Sequence, residues 1–256
     1  HIQVRVTLES DSFFDFVRLD SLWLETSPPL AQQVIGEVAR VDQPEPARGL
    51  TEVRLGEMTD FTYDLRAEFD AAGQQGFDAI RIRTSSRPQF RRLEMGATLQ
   101  AIDPAAVVEG EDELVVQLPE RVTRSRNVPV RLVFGTEVFV FANTFTGEVF
   151  DTQSADLPQQ VEEGDVRDEV KTSSLQVFGL SGDAQQTIQD LRFSSGVVTP
   201  NGDGINDQLQ IDYQLFRLPQ PLPVELVIYN LAGRQVARIA QGYQGAGPQQ
   251  LSWDGR

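Results

Sequence analysis

Apolar and polar positions alternate with a period of two along several stretches of the chain. Ile2, Val4, Val6 and Leu8 alternate with Gln3, Arg5 and Thr7, and Phe61, Tyr63, Leu65, Ala67 and Phe69 with Thr62, Asp64, Arg66 and Glu68. Val128, Val130, Leu132 and Phe134 keep the same rhythm, as do Val224, Leu226 and Ile228. Each run places apolar side chains on one face and polar ones on the other, as a half-buried antiparallel strand requires. Gly, Pro, Asp and Asn interrupt the runs roughly every 8–12 residues, the spacing of sandwiches and barrels. Ala31–Val41 and Asp183–Leu191 have room for a short helix, but neither combines a cap with a periodic stripe. The pattern predicts an all-β chain.

Three polar stretches suggest boundaries. Asp42–Gly49, with Pro44 and Pro46, reads as a linker or long loop. Leu157–Lys171 contains Pro158 and the acidic run Glu162-Glu163-Gly164-Asp165, lacks apolar periodicity, and reads as a solvated loop. Val197–Gly204 is the sharpest turn-rich junction. The expected division is therefore 1–42, 43–191 and 192–256, in tandem antiparallel β-sandwich modules of jelly-roll or Ig-like type. Residues 1–42 are too few for a sandwich. Their strands belong either to an upstream module or to the central one.

Composition narrows the chemistry. Asp and Glu number 38 against 22 Lys and Arg, a formal charge of −16, and there is one His and no Cys. The chain therefore has no disulfide, thiolate metal site or thiol nucleophile, and no His cluster for a metal. Phosphate binding needs concentrated positive charge, so nucleic acid is disfavoured as a partner. No apolar run approaches the ~18 residues of a membrane helix. With no initiator Met and a strand-like start at residue 2, the chain reads as a piece of a longer polypeptide.

The most informative segment begins near residue 192. Val197-Val198-Thr199-Pro200-Asn201-Gly202-Asp203-Gly204-Ile205-Asn206-Asp207 precedes a strand, Leu209–Tyr213. Val224–Val236 follows, containing Ile228-Tyr229-Asn230-Leu231-Ala232-Gly233-Arg234, and the segment closes on Trp253-Asp254-Gly255-Arg256. In this order the motifs resemble the gliding-motility-associated C-terminal domain of proteins exported by bacterial type IX secretion. They are also similar to the immunoglobulin-like domain of the flagellar hook-capping protein. The resemblance implies an Ig-like module, an extracellular or cell-surface location, and a further hairpin after the Trp-Asp-Gly-Arg string. The chain stops at Arg256, so the module is expected to be truncated and to leave an open sheet edge that a neighbouring chain can pair with. Independently of the resemblance, Gly233 suits a short hairpin loop that needs positive φ. Farther upstream, Phe16–Val38 resembles strands of a jelly-roll carbohydrate-binding module.

Candidate sites follow from these segments. On a looped calcium template, Asn201 and Asp203 take the third and fifth positions, the Ile205 carbonyl the seventh and Asp207 the ninth. Thr199 and Gln210 stand where acids belong, so calcium binding and a metal-free double turn both stay open. Glu109–Glu113 and Glu162–Glu169 are cation holders or solvated acidic loops. Arg87, Arg91 and Arg92 around Phe90 form an anion patch or an exposed strand face. Trp23 with Phe13, Phe14 and Phe16 offers either a sugar-stacking platform or core. Asp20-Ser21-Leu22 resembles the short O-glycosylation pattern of Bacteroidetes-type secreted proteins, with Ser21 as acceptor. No catalytic constellation stands out among so many acids.

The expected role is non-enzymatic: an extracellular structural protein, displayed on the cell or assembled into a surface layer or filament by self-association or by strand pairing with a neighbouring surface protein. The alternative is the glycan-binding, non-catalytic region of a secreted hydrolase or adhesin.

Overall fold

The computed structural model describes residues 6–7, 9, 18–23, 28–70, 73–180 and 186–255, apart from the Gln241 side chain. Most of the Ile2–Leu8 alternation, and Phe13, Phe14 and Phe16, lie outside the described residues. Within them the fold is all-β, without a helix. The strands are β1 (Gln33–Arg40), β2 (Thr51–Arg54), β3 (Thr59–Glu68), β4 (Phe77–Arg83), β5 (Gln89–Met95), β6 (Gln100–Ile102) and β7 (Ala106–Glu109). They continue with β8 (Glu113–Val122), β9 (Val130–Thr136), β10 (Ala142–Thr144), β11 (Gly147–Phe150), β12 (Gln159–Gln160), β13 (Glu162–Glu163) and β14 (Gln176–Leu180). The last are β15 (Ile188–Phe193), β16 (Leu209–Leu215), β17 (Leu222–Tyr229), β18 (Gln235–Gln244) and β19 (Gly247–Trp253).

The central unit is a β-sandwich. One sheet runs β13-β1-β3-β9-β5-β6 and the other β12-β11-β4-β8-β7, with a three-stranded sheet β10-β14-β2 beside them. The alternation in β3 sends Phe61, Tyr63, Leu65 and Ala67 inward to meet Ile80, Ile82, Leu114 and Val116 of the opposite sheet. At the centre the rings of Phe61, Phe134 and Phe145 lie 5.2–5.9 Å apart. Aromatic residues bury the most area per side chain, so this trio anchors the core.

Two boundaries move. β1 sits between β13 and β3 in the six-stranded sheet, so that part of residues 1–42 belongs to the central sandwich. β15 begins at Ile188 and pairs with β16, which carries the C-terminal unit upstream of residue 192. The two helix-sized stretches hold β1 and β15 instead.

The 157–171 segment differs more deeply from the solvated loop its composition predicts. It supplies the edge strands β12 and β13, with Val161 buried in the core between the sheets, and then crosses the back of β1, burying Val170. Glu37, fully buried on β1, explains why a polar strap can lie there. Its Oε1 accepts the N–H groups of Val166 and Arg167 at 3.2 and 2.8 Å, and its Oε2 that of Ser173 at 3.2 Å. A buried carboxylate thereby satisfies three backbone donors that a loop over an apolar face would leave unpaired.

The C-terminal unit is smaller. A three-stranded sheet, β15-β16-β19, carries Leu209, Ile211, Tyr213 and Leu215 on its inner row, and the β17–β18 hairpin lays Val224, Leu226 and Ile239 against them. The predicted Gly233 turn is present at φ +76°, with the Asn230 side chain accepting the Ala232 and Arg234 N–H groups. The two units meet at an aromatic joint. Phe216 packs on Phe139 with centroids 5.4 Å apart, the Arg217 N–H donates to the Phe139 carbonyl at 2.9 Å, and the Arg217 guanidinium stacks on Phe141. Gly56, at φ +73°, makes room for this joint, since a Cβ there would stand 2.9 Å from the Phe216 ring.

Candidate functional site

The open side of the C-terminal sandwich gathers more exposed apolar surface than any functional motif predicted. Ile188 and Phe193 of β15 pair across from Leu215 and Ile211, so they share the inner face of the sheet. Yet Ile188 is 51% and Phe193 56% exposed, because the hairpin covers β16 and stops short of β15. Leu191, in the bulge where Asp190 takes φ +52°, is exposed as well. Apolar side chains on a sandwich's inner face belong under a second sheet, and here that sheet has two strands among the described residues. The sequence signal was the Ile188–Phe193 run itself, whose bulge breaks the alternation and hides it from a period-two scan.

The edges differ between the two units. The central sheets end in β13, β12, β6 and β7, strands of two to four residues. Short edge strands expose few unpaired N–H and C=O groups. In the C-terminal unit every edge strand is longer: β15, β19, β17 and β18 span six to ten residues.

The candidate calcium loop is built as a set of turns. Both oxygens of Asp207 accept backbone N–H groups, from Gly202 and Gly204 at 2.7 Å each, and Asp203 accepts that of Ile205 at 2.7 Å. These donors hold both carboxyls below the usual carboxylate range, the Ile205 N–H foremost for Asp203 and the Gly202 N–H for Asp207. Asn201 accepts the Asp203 N–H and donates to the Asp203 carboxylate, while the Ile205 carbonyl accepts the Thr199 hydroxyl at 3.0 Å. The four positions are thus together on one exposed loop, their oxygens engaged with the chain itself.

The other candidates separate. Glu109 accepts the Phe90 N–H at 2.7 Å, and Glu113 faces Arg81 at 3.6 Å, so this acidic run closes the β7–β8 hairpin. Glu162 and Glu163 lie in the strap, Glu163 accepting from Ser174 Oγ and the Leu175 N–H. Arg91 pairs with Asp60 at 3.0 Å and Arg92 with Glu94 at 2.5 Å, while Arg87 is exposed. Ser21 is exposed, as a modified serine must be. Trp23 is 89% exposed and stands with exposed Leu19 and Leu22, whereas its proposed Phe partners lie outside the described residues. Among the described residues no group of three or more His, Cys, Asp or Glu converges as a metal site.

Sequence reading missed the buried acids. Burial, reinforced by nearby Asp64, pushes Glu37 up to about 7 against the pull of its three backbone donors. Asp64 is held by Arg131 through bonds of 2.7 and 3.0 Å, yet burial still raises it above the usual range. A lone Glu within Val34-Ile35-Gly36-Glu37-Val38-Ala39 was the available signal.

Comparison with known proteins adds no assignment. No family model matches the chain, and no curated protein matches it. Among solved structures, the C-terminal domain of the Streptococcus agalactiae AgI/II polypeptide BspA is similar at TM-score 0.37 and 8% identity, over 87% of this chain and 84% of that one. A C-terminal fragment of the S. agalactiae major pilin GBS80 gives TM-score 0.32 and 12% identity, over 87% and 76%. An M1 zinc metallopeptidase from Deinococcus radiodurans gives 0.26 and 9%, over 88% and 38%. Scores this low support no inference about fold or function.

Proposed function

We propose that the chain is a non-enzymatic structural protein of the bacterial cell surface, whose C-terminal module mediates its assembly into a layer or filament. The observation that carries this reading is the unequal finish of the two sandwiches: a closed central unit with short edges joined to a C-terminal unit with long edges and bare inner-face side chains. The aromatic joint at Phe139 and Phe216 supports it, because a packed junction passes force from one module to the next. The −16 charge suits a protein that stays dispersed until specific contacts form. Export by the type IX route is part of the proposal and rests on the motif resemblance of residues 192–256. Electron microscopy of native material is the test. Layers or filaments are expected, and uniformly monomeric particles would sink the reading.

Trp23 favours a second reading, the glycan-binding region of a secreted hydrolase or adhesin, since an indole so exposed is available to stack on a sugar ring. A polysaccharide pull-down in which Trp23→Ala abolishes binding would establish it. Retention indistinguishable from the variant's would remove it.

A further inference from the structure

The central sandwich carries a polar groove at one end of its five-stranded sheet. β4 and β8 pair out of step there. Phe77 faces Val122 and Ala79 faces Gln117, so residues 118–121 bulge opposite Asp78 alone. A bulge re-aims side chains, and Pro119 within it has no N–H to offer the ladder. The result is a groove of about 560 Å³, lined by Asp78, Gln117, Glu120, Arg121, Asp151 and Gln153 among others. That volume lies in the range of small-ligand sites.

Its floor is held in place by the chain itself. Asp78 is 7% and Asp151 6% exposed, yet both line the groove. Asp78 accepts the Thr152 N–H at 2.7 Å and the Thr152 hydroxyl at 2.6 Å, while the Gln117 amide donates to that hydroxyl oxygen at 3.2 Å. Asp151 accepts two bonds from Arg121, one of them at 2.8 Å, and the Gln153 N–H at 2.9 Å. Carboxylates fixed in this way keep their direction, and each Asp78 oxygen, having accepted one of these bonds, has lone-pair capacity left. A second polar groove, of about 420 Å³ beside Asp190, Arg192 and Asp212 of the C-terminal unit, has no buried acid in its lining.

Charge and hydrogen-bonding capacity decide what fits. The groove sets Asp78, Glu120 and Asp151 against Arg121, so a phosphate or an acidic sugar is repelled. Among the described residues no three acids converge, so a bare cation would be poorly coordinated. A neutral ligand dense in hydroxyls suits the lining, because one hydroxyl donates to a carboxylate and accepts from an amide or guanidinium at once. Ala105 and Pro119 add C–H surface for the apolar face of a sugar ring. We infer that the groove binds a neutral glycan, with Asp78 accepting from sugar hydroxyls and the Gln117 and Gln153 amides donating to them. This goes beyond the assembly role, and it does not involve Trp23.

The test is native affinity electrophoresis of the full chain, with hydroxyethylcellulose, glucomannan, galactomannan or polygalacturonate cast in the gel. At least one of the three neutral polymers should retard the native chain, and polygalacturonate should not. Asp78→Asn keeps the shape of the floor but exchanges an acceptor for a donor, and should weaken binding about tenfold or more. Gln153→Ala changes only an exposed side chain, so it should weaken binding about threefold or more with thermal unfolding unchanged. Should Asp78→Asn fail to fold, Gln153→Ala decides alone. A native chain that runs freely through all three neutral gels overturns the inference. So does polygalacturonate binding as tight as that of any neutral polymer, and so do groove variants that bind like the native chain. If Trp23→Ala loses binding while the groove variants keep it, the groove is wrong and the indole is the sugar platform.

Discussion

The two sandwiches use the same strand alternation to different ends. In the central one, both sheets contribute full inner rows, and even the back of the larger sheet is covered by a strap pinned to Glu37. In the C-terminal one, the fully buried residues are few, chiefly Ile211, Tyr213, Leu215 and Phe216, the last of which belongs to the joint. A sandwich holds its strands by what both faces bury, so the difference teaches where stability is concentrated and where it is thin. The central unit buries its inner rows among its own strands, and the C-terminal unit leaves Ile188 and Phe193 half bare.

The largest expected effect separates the units directly. Phe61→Ala removes a member of the aromatic trio and should cost about 3–5 kcal/mol in the central unit. Calorimetry should show its transition falling markedly while that of the C-terminal unit, already the lower one, hardly moves. A single unchanged transition would break the comparison.

The next effect is electrostatic and belongs to the strap. Glu37 stays protonated in the fold up to about 7, against a reference of 4.5. Between those values the folded state keeps a proton that the unfolded chain has lost, so stability falls as pH rises. The contribution is full below about 4.5 and gone above about 7, a loss on the order of 3 kcal/mol. Denaturant titrations of Glu37→Gln between pH 5 and 8 should show that slope flattened. An unaltered slope would place the titrating group elsewhere.

The joint comes third. Gly56→Val puts a branched side chain at positive φ and into the Phe216 ring, and should cost about 1–3 kcal/mol. Small-angle scattering should report a wider spread of shapes as the modules uncouple, with both cores folded. The smallest effect concerns the Asn201–Asp207 loop. Its carboxylates already serve backbone N–H groups, so millimolar calcium is expected to leave the C-terminal transition in place, whereas Asp207→Asn lowers it. A calcium-dependent rise in that transition would reassign the loop.

Much of the fold was legible in the sequence because alternation is a local signal. β3, β9 and β17 follow the runs at 61–69, 128–134 and 224–228. The strap was not legible, since its cover is created by a residue far away in sequence, Glu37, and its own composition is polar. The place of residues 1–42 stayed open for a related reason: β1 finds β13 across more than a hundred residues, a pairing that local pattern cannot show. The turn chemistry of Asn201–Asp207 and Gly233 was readable residue by residue. The bare strip was not, because exposure of Ile188 and Phe193 depends on where the hairpin stops.

Residue-resolved hydrogen exchange at low and high protein concentration tests the central claim most directly. In dilute solution the amides of β3, β4 and β9 should exchange only with global unfolding of the central unit, while those on the free side of β17 exchange at least about a hundredfold faster. Raising the concentration should slow β17 selectively. Equal protection of β17 and β3 in the dilute monomer would contradict the account, because the C-terminal sandwich would then already be closed.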